Sequence, residues 1–177
     1  MDAAFRQALD DARDAKVADW ERLAREWWSE ELADAAARLL LAARAGRLRT
    51  ISSWMLKRAL EEERPLDGRL RARIARECDP RWPWEARLHV LQCVHRLPWS
   101  RAQAEALLPF AESGCEDPAP FVRAWSANAA AHLQLVVLGD PVAALACLER
   151  AEQDPQASVR ARARGFRRDH RKALAAR

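Results

Sequence analysis

Three features of the chain predict an all-α fold built from stacked helical pairs. One word is written three times at a near-constant interval: DPRWPWEAR from Asp79, DPAPFVRAW from Asp117 and DPQASVRAR from Asp154, spaced 38 and 37 residues apart. A period in this range marks helical pairs that bury their apolar faces only against neighbouring pairs. Composition agrees, since only 5 of 177 residues are glycine while Ala, Leu, Arg and Glu dominate, a balance that favours helix over strand. Apolar residues recur at three-and-four spacing along most of the length, which divides the chain into about nine or ten helices joined by short turns.

Each helix has its local reason. In the N-terminal third the apolar pattern predicts helices over Met1 to Asp14, Lys16 to Trp28, Glu30 to Ala45 and Ile51 to Glu63. Asp67 and Gly68 open a helix that ends near Cys78, and Trp84 to Leu97 forms the next. Ser100 is a suitable N-cap for a helix from Arg101 to about Ser113. Pro120 to Val137 follows; Gly139 and Asp140 then turn the chain, and Pro141 starts a helix closing near Gln153, where its missing N–H costs little. Gln156 to about Ala173 is the last. The repeated Asp-Pro stops one helix, because the residue before proline is driven out of the α region, and it launches another within a few residues.

Charge is unevenly placed. From Asp154 onward, 8 Lys or Arg face only Asp154 and Asp169, giving +6, whereas the remainder carries 22 basic and 24 acidic side chains, giving −2. Attraction to an anionic partner is therefore concentrated in the last repeat, where Arg160, Arg164, Arg167, Arg168 and Arg171 form a candidate basic patch. The 4 cysteines lack any CxxC pair and fall on helical stretches, a pattern suited to reduced thiols of an intracellular protein. The acidic start is unlike a signal peptide, and no apolar run approaches the ~20 residues of a membrane span. A cytoplasmic location without membrane association is the expectation.

The residues resemble the HEAT-repeat family. ALLPFAESGCEDPAPFVRAWSANAAAHL, Ala106 to Leu133, is similar to one HEAT unit: a first helix with a proline near its middle (Pro109), a DP turn, then Val-Arg opening a second helix that small residues continue. Leu145 to His170 is similar, with Asp154, Pro155, Val159 and Arg160 at matching positions and Ala161 and Ala163 as the small residues. The unit around Asp79 and Pro80 departs from the pattern, with Trp84 in place of valine and Glu85 in place of arginine. The resemblance implies a right-handed α-α superhelix, a HEAT-like solenoid of about four to five helical pairs. It treats residues 1–177 as a single α-solenoid domain, with 1–65 as N-terminal helices or a cap and 66–177 as repeats. It also implies a bacterial-type short repeat protein in which the turn Asp and the Arg six residues later ladder neighbouring repeats.

Helix faces nominate a binding strip. On the helix after Asp117, Val122, Ser126, Ala129 and Leu133 share a face and should be core, while Phe121, Trp125, Asn128 and His132 form a second stripe about a quarter turn away. Second helices line the concave wall of a HEAT-like stack, and a shift of one repeat puts Arg87 and Arg162 in register with Trp125. An aromatic flanked by guanidinium groups suits an acidic peptide or a phosphate backbone, and the same residues also suit packing of Trp125 on the adjacent repeat. Among the 8 tryptophans, Trp20 and Trp27 share a face with Leu23 and Ala24 and should be packed, whereas Trp28, Trp82 and Trp99 are better placed for an interface, or equally for sealing the end of a solenoid.

No catalytic constellation is present in the sequence. His89 and Cys93 lie four residues apart, but no HExxH, paired Cys motif, Gly-rich phosphate loop or GxSxG accompanies them, so no catalytic residue, metal or cofactor is assigned. The leading expectation is a non-catalytic protein-binding scaffold or adaptor, whether assembly factor, inhibitor or immunity-type partner, acting through its concave face. Nucleic-acid binding through the basic last repeat is the alternative. A DNA glycosylase of the alkylation-repair HEAT-like type is a more distant one, because the stripe holds tryptophan and arginine but only Asp169 and Glu85 as nearby acids.

Overall fold

Each Asp-Pro word folds in the same way: the aspartate Oδ1 accepts the N–H two residues on, from Arg81, Ala119 and Gln156, at 2.8 Å in every case. This side-chain turn replaces the helical bond that proline forbids, so it ends one helix and aims the next. Other helix ends are capped by the residues the sequence nominates. Asp67 accepts from Arg69 and Leu70 N–H, Ser100 exchanges bonds with Gln103, and Asp140 accepts from Ala143 ahead of Pro141.

A computed structural model describes residues 2–12, 15–27, 29–44 and 46–175. Met1, Asp14, Trp28 and Ala45, named above as helix ends, and Arg177, counted among the basic residues, lie outside the described residues, so nothing further is assigned to Trp28 as an interface residue. All regular structure among the described residues is helical. The contacts divide the chain into two compact units, residues 1–96 and 97–177.

The first unit holds α1 (Asp2–Asp11), α2 (Val17–Glu26), α3 (Leu32–Ala42), α4 (Gly46–Glu61), α5 (Gly68–Glu77) and α6 (Trp84–Cys93), followed by a 3-10 turn, Val94–Arg96. Its centre is α4, which packs on α1, α2, α3 and α6. Trp20 is buried edge-on against Trp54 at 5.9 Å, and its indole N–H donates to the Ala12 carbonyl. Trp27 packs on Phe5. α4 begins five residues before the expected Ile51, through a first turn in which Leu48 is the one apolar residue. Thr50, Ser52 and Ser53 are all buried, and two of them are satisfied locally, Thr50 Oγ1 at the Gly46 carbonyl and Ser53 Oγ at the Thr50 carbonyl.

The second unit holds α7 (Arg101–Ser113), a 3-10 turn (Gly114–Glu116), α8 (Pro120–His132), a wider π turn (Leu133–Leu138), α9 (Pro141–Glu152), α10 (Ala157–Asp169) and α11 (Arg171–Ala175). Its apolar core joins Ala124, Ala127 and Ala131 of α8 to Ala144, Leu148 and Ala151 of α9 and to Val159, Ala163 and Phe166 of α10. Gly139, at φ 72°, closes the π turn in a left-handed conformation, with the Asp140 N–H reaching back to the Gln134 carbonyl. The single helix expected to about Ala173 is instead broken at His170, whose ring stacks on Phe166 at 4.2 Å. The break folds Leu174 inward against α9, so a short covering helix stands where the sequence offers only arginines.

Two further expectations are corrected. Trp82 and Trp99 are both only 8 % exposed, so neither offers an interface; Trp82 instead lies under the Arg49 guanidinium at 4.8 Å. The surface aromatic of that region is Trp84, at 44 %. Pro83 is the reason: it caps α6 at Trp84, delaying the inward face to Ala86, which is fully buried as Val122 and Val159 are in their repeats.

Glycine fixes one close approach. A Cβ on Gly114 would overlap the Ser126 hydroxyl and press on Val122 Cγ1 at 3.2 Å, whereas one on Gly68 meets nothing nearer than Arg71 Nη2 at 3.8 Å. Gly114→Ala should therefore cost about 1–3 kcal/mol in urea unfolding, the usual range for overpacking, while Gly68→Ala should not destabilise. Equal stability of the two variants would contradict the packing of α8 on this turn.

Candidate functional site

The inward stripe of α8 is buried as its spacing predicts: Val122, Ser126 and Leu133 are fully inaccessible and Ala129 nearly so. A quarter turn away, Phe121 is 59 % exposed, and Trp125, Asn128 and His132 are half-buried. The Arg162 guanidinium of α10 lies over the Trp125 ring, its carbon 3.6 Å from the ring centroid. This is close for a cation–π contact. Burial pulls the Arg162 pKa down.

The register of these helices is held by arginine at the Asp-Pro turns. Arg123 Nη1 donates to the Asp117 and Pro118 carbonyls at 2.8 and 3.2 Å, while its Nε and Nη2 grip the Asp154 carboxylate at 2.7 and 3.0 Å. Side chains in this pair are 14 % and 10 % exposed. The bond to Arg123 holds Asp154 below the usual carboxylate range, and Asp154 holds Arg123 above its own. Arg160 repeats the first half of the pattern, donating to the Asp154 and Pro155 carbonyls at 2.7 and 2.8 Å.

In the first unit the same part is played by residues that the repeated word does not align. Arg49 donates to the Ala43 carbonyl, six residues back as in Arg123 and Arg160. Arg87 Nε donates to the Trp82 carbonyl at 3.0 Å, five residues back. Thus Arg87, placed by repeat spacing beside Trp125, takes a turn-clamping position like that of Arg123. The Asp79 carboxylate is claimed locally by Arg81, which with its backbone N–H holds it down to about 2.

The basic patch is largely committed. Arg160 serves its turn, Arg167 is bidentate to Glu152 at 2.9 and 3.2 Å, and Arg168 meets Asp169 at 3.1 Å. Arg164 and Arg171 are exposed.

Cys93 and Cys147 are buried and Cys115 is partly so. Cys115 and Cys147 line a cavity of about 180 Å³ together with Arg123 and Arg150. Burial pushes the Cys115 thiol up to about 11 and raises Cys147 despite the Arg150 guanidinium 3.7 Å from its sulfur. Cys93 is pushed up to about 12 by burial, and its thiol donates to the His89 carbonyl. No group of three or more His, Cys, Asp or Glu converges as a metal site among the described residues, and none of their helices is long and apolar enough to cross a membrane. No family model, curated protein or solved structure matches the chain.

His89 completes a polar contact between α4 and α6: its Nδ1 is 3.0 Å from Ser53 Oγ. That hydroxyl already donates to the Thr50 carbonyl, so it is left to accept, which puts the proton on Nδ1. Burial, aided by nearby Lys57, lowers the imidazole pKa from 6.5 to about 4, against smaller upward pulls from Thr50 and Glu61. The unfolded chain therefore binds more protons between these values, so this contribution is intact above 6.5 and is lost as pH falls toward about 4. Urea midpoints should drop from pH 7.5 to pH 4.5, and His89→Gln should flatten that slope. An unchanged slope in the variant would remove His89 as its cause.

Proposed function

We propose that the chain is a HEAT-like, non-catalytic scaffold that binds another protein through the outer stripe of α8: Phe121, Trp125, Asn128 and His132, with Arg162 of α10. The observation that carries this reading is an exposed phenyl one helical turn from a tryptophan pinned beneath a guanidinium. Rigid aromatics beside arginine are the composition of interface hot spots, because they bury large area while losing little conformational freedom. The arginine clamps at the Asp-Pro turns give the stripe a fixed backbone, as a preformed binding face requires.

The state of the basic patch supports a protein partner over nucleic acid. Binding along a phosphate backbone draws on a row of uncommitted cations, and Arg160, Arg167 and Arg168 already hold carbonyls or carboxylates within their own repeat. Asp169, one of the two acids available to a glycosylase-like reading, is likewise taken by Arg168.

A photo-cross-linking amino acid placed at Phe121 should capture a protein in cells, and the same group at Val142, 75 % exposed on α9, should not. Trp125→Ala should weaken the captured complex by about 2 kcal/mol or more with helicity intact. Cross-linking to nucleic acid at Phe121, or equal capture at both positions, would overturn the reading.

A further inference from the structure

We infer that Arg162 is the anion anchor of this strip and that the partner segment it receives carries a carboxylate beside an apolar side chain. The inference rests on the protein-binding reading and goes beyond it by naming the chemistry of the occupant.

Several other arginines of the second unit have partners of their own. Arg123 holds Asp154, Arg167 holds Glu152, Arg168 holds Asp169, Arg101 holds Glu105, and Arg160 is spent on turn carbonyls. Arg162, by contrast, is half-buried with an aromatic ring as its neighbour, and among the described residues no acid or carbonyl pairs with it. The Trp125 ring meets the guanidinium as a cation–π partner and takes no conventional hydrogen bond from it, so the N–H donors that bind carboxylate in a two-pronged, in-plane geometry remain for an incoming anion. A guanidinium keeps its charge in any such setting, so its partial removal from water is a cost that an incoming anion relieves further than the ring does.

The surroundings select the anion. Asn128, three residues after Trp125, and Phe121, four before it, lie on the same face of α8, the first half-buried and the second largely exposed. One fixed cation flanked by an amide and a bare phenyl ring complements an acidic residue next to an apolar one. A phosphodiester chain would instead call on several free cations in a line, which the commitments of Arg160, Arg167 and Arg168 deny it.

The probe is a blocked octapeptide of alternating Glu and Leu, titrated into the full chain by calorimetry beside the Gln–Leu counterpart and a thymidine decanucleotide. Saturable binding of the Glu peptide should weaken about ten-fold or more in Arg162→Gln, and nearly as much in Arg162→Lys, which keeps the charge but loses the fork. Arg164→Gln, an exposed arginine of the same helix, should change it by less than about two-fold. The Gln peptide should bind more weakly and be indifferent to Arg162. Equal losses in the Arg162 and Arg164 variants, no saturable binding of the Glu peptide, or tighter Arg162-dependent binding of the oligonucleotide would each overturn the anchor. Protein capture at Phe121 that ignores Arg162→Gln would spare the scaffold reading and remove the anchor alone; Arg162-dependent peptide binding with no protein captured would do the reverse.

Discussion

One guanidinium holds two repeats to a common geometry. Arg123 spends one nitrogen on the carbonyls of the turn that launches its own helix and the other two on the aspartate of the following turn. Both partners need it. Asp-Pro turns expose carbonyls that no helix satisfies, and an aspartate drawn into a half-dry cleft needs a cation. Because arginine's donors form a rigid fork, satisfying both fixes the angle between the turns, which lysine's single point charge would not. Asp154 in turn accepts the Gln156 N–H, so the carboxylate that receives Arg123 also starts α10.

This constraint decides which charges remain for function. In the second unit Arg160, Arg167 and Arg168, three of the cations that make the last repeat look like a polyanion site, are engaged by turn carbonyls or carboxylates of their own repeat. Beside the exposed Arg164 and Arg171 stands one arginine of a different kind, Arg162, half-buried over a tryptophan, with a phenyl ring left in water nearby. The net charge of the segment, +6 by composition, therefore overstates what a partner meets. Local pairing, rather than total charge, sets the electrostatic character of the surface.

Much of this was legible in the residues. The Asp-Pro words marked three turns, the stripe from Val122 to Leu133 marked a buried face, and the pairing of Trp125 with Arg162 followed from repeat spacing. What escaped has a common cause: periodicity counts residues, while packing answers to shape and hydrogen bonds. Pro83 delays the inward face of α6, so Arg87, and not the position that carries Glu85, clamps the turn, and Trp84 emerges at the surface. Arg49 was missed because its turn lacks Asp-Pro and shows only an arginine six residues after Ala43. The first turn of α4, with Gly46, two arginines and Thr50 around the single apolar Leu48, gave an apolar count nothing to follow, and Thr50 satisfies its hydroxyl at the Gly46 carbonyl. Leu174 faces inward only because His170 breaks the helix over Phe166, and nothing in the arginine-rich sequence announces that break.

A double-mutant cycle at the clamp tests its central role most directly. Arg123→Gln and Asp154→Asn, alone and together, preserve side-chain size while removing the charge from each partner, and urea unfolding of all four proteins isolates their coupling. A coupling above about 1 kcal/mol is predicted for a bidentate pair this far from water. Additivity within about 0.3 kcal/mol would mean that the two turns are positioned by apolar packing alone, and the account built on the clamp would fall.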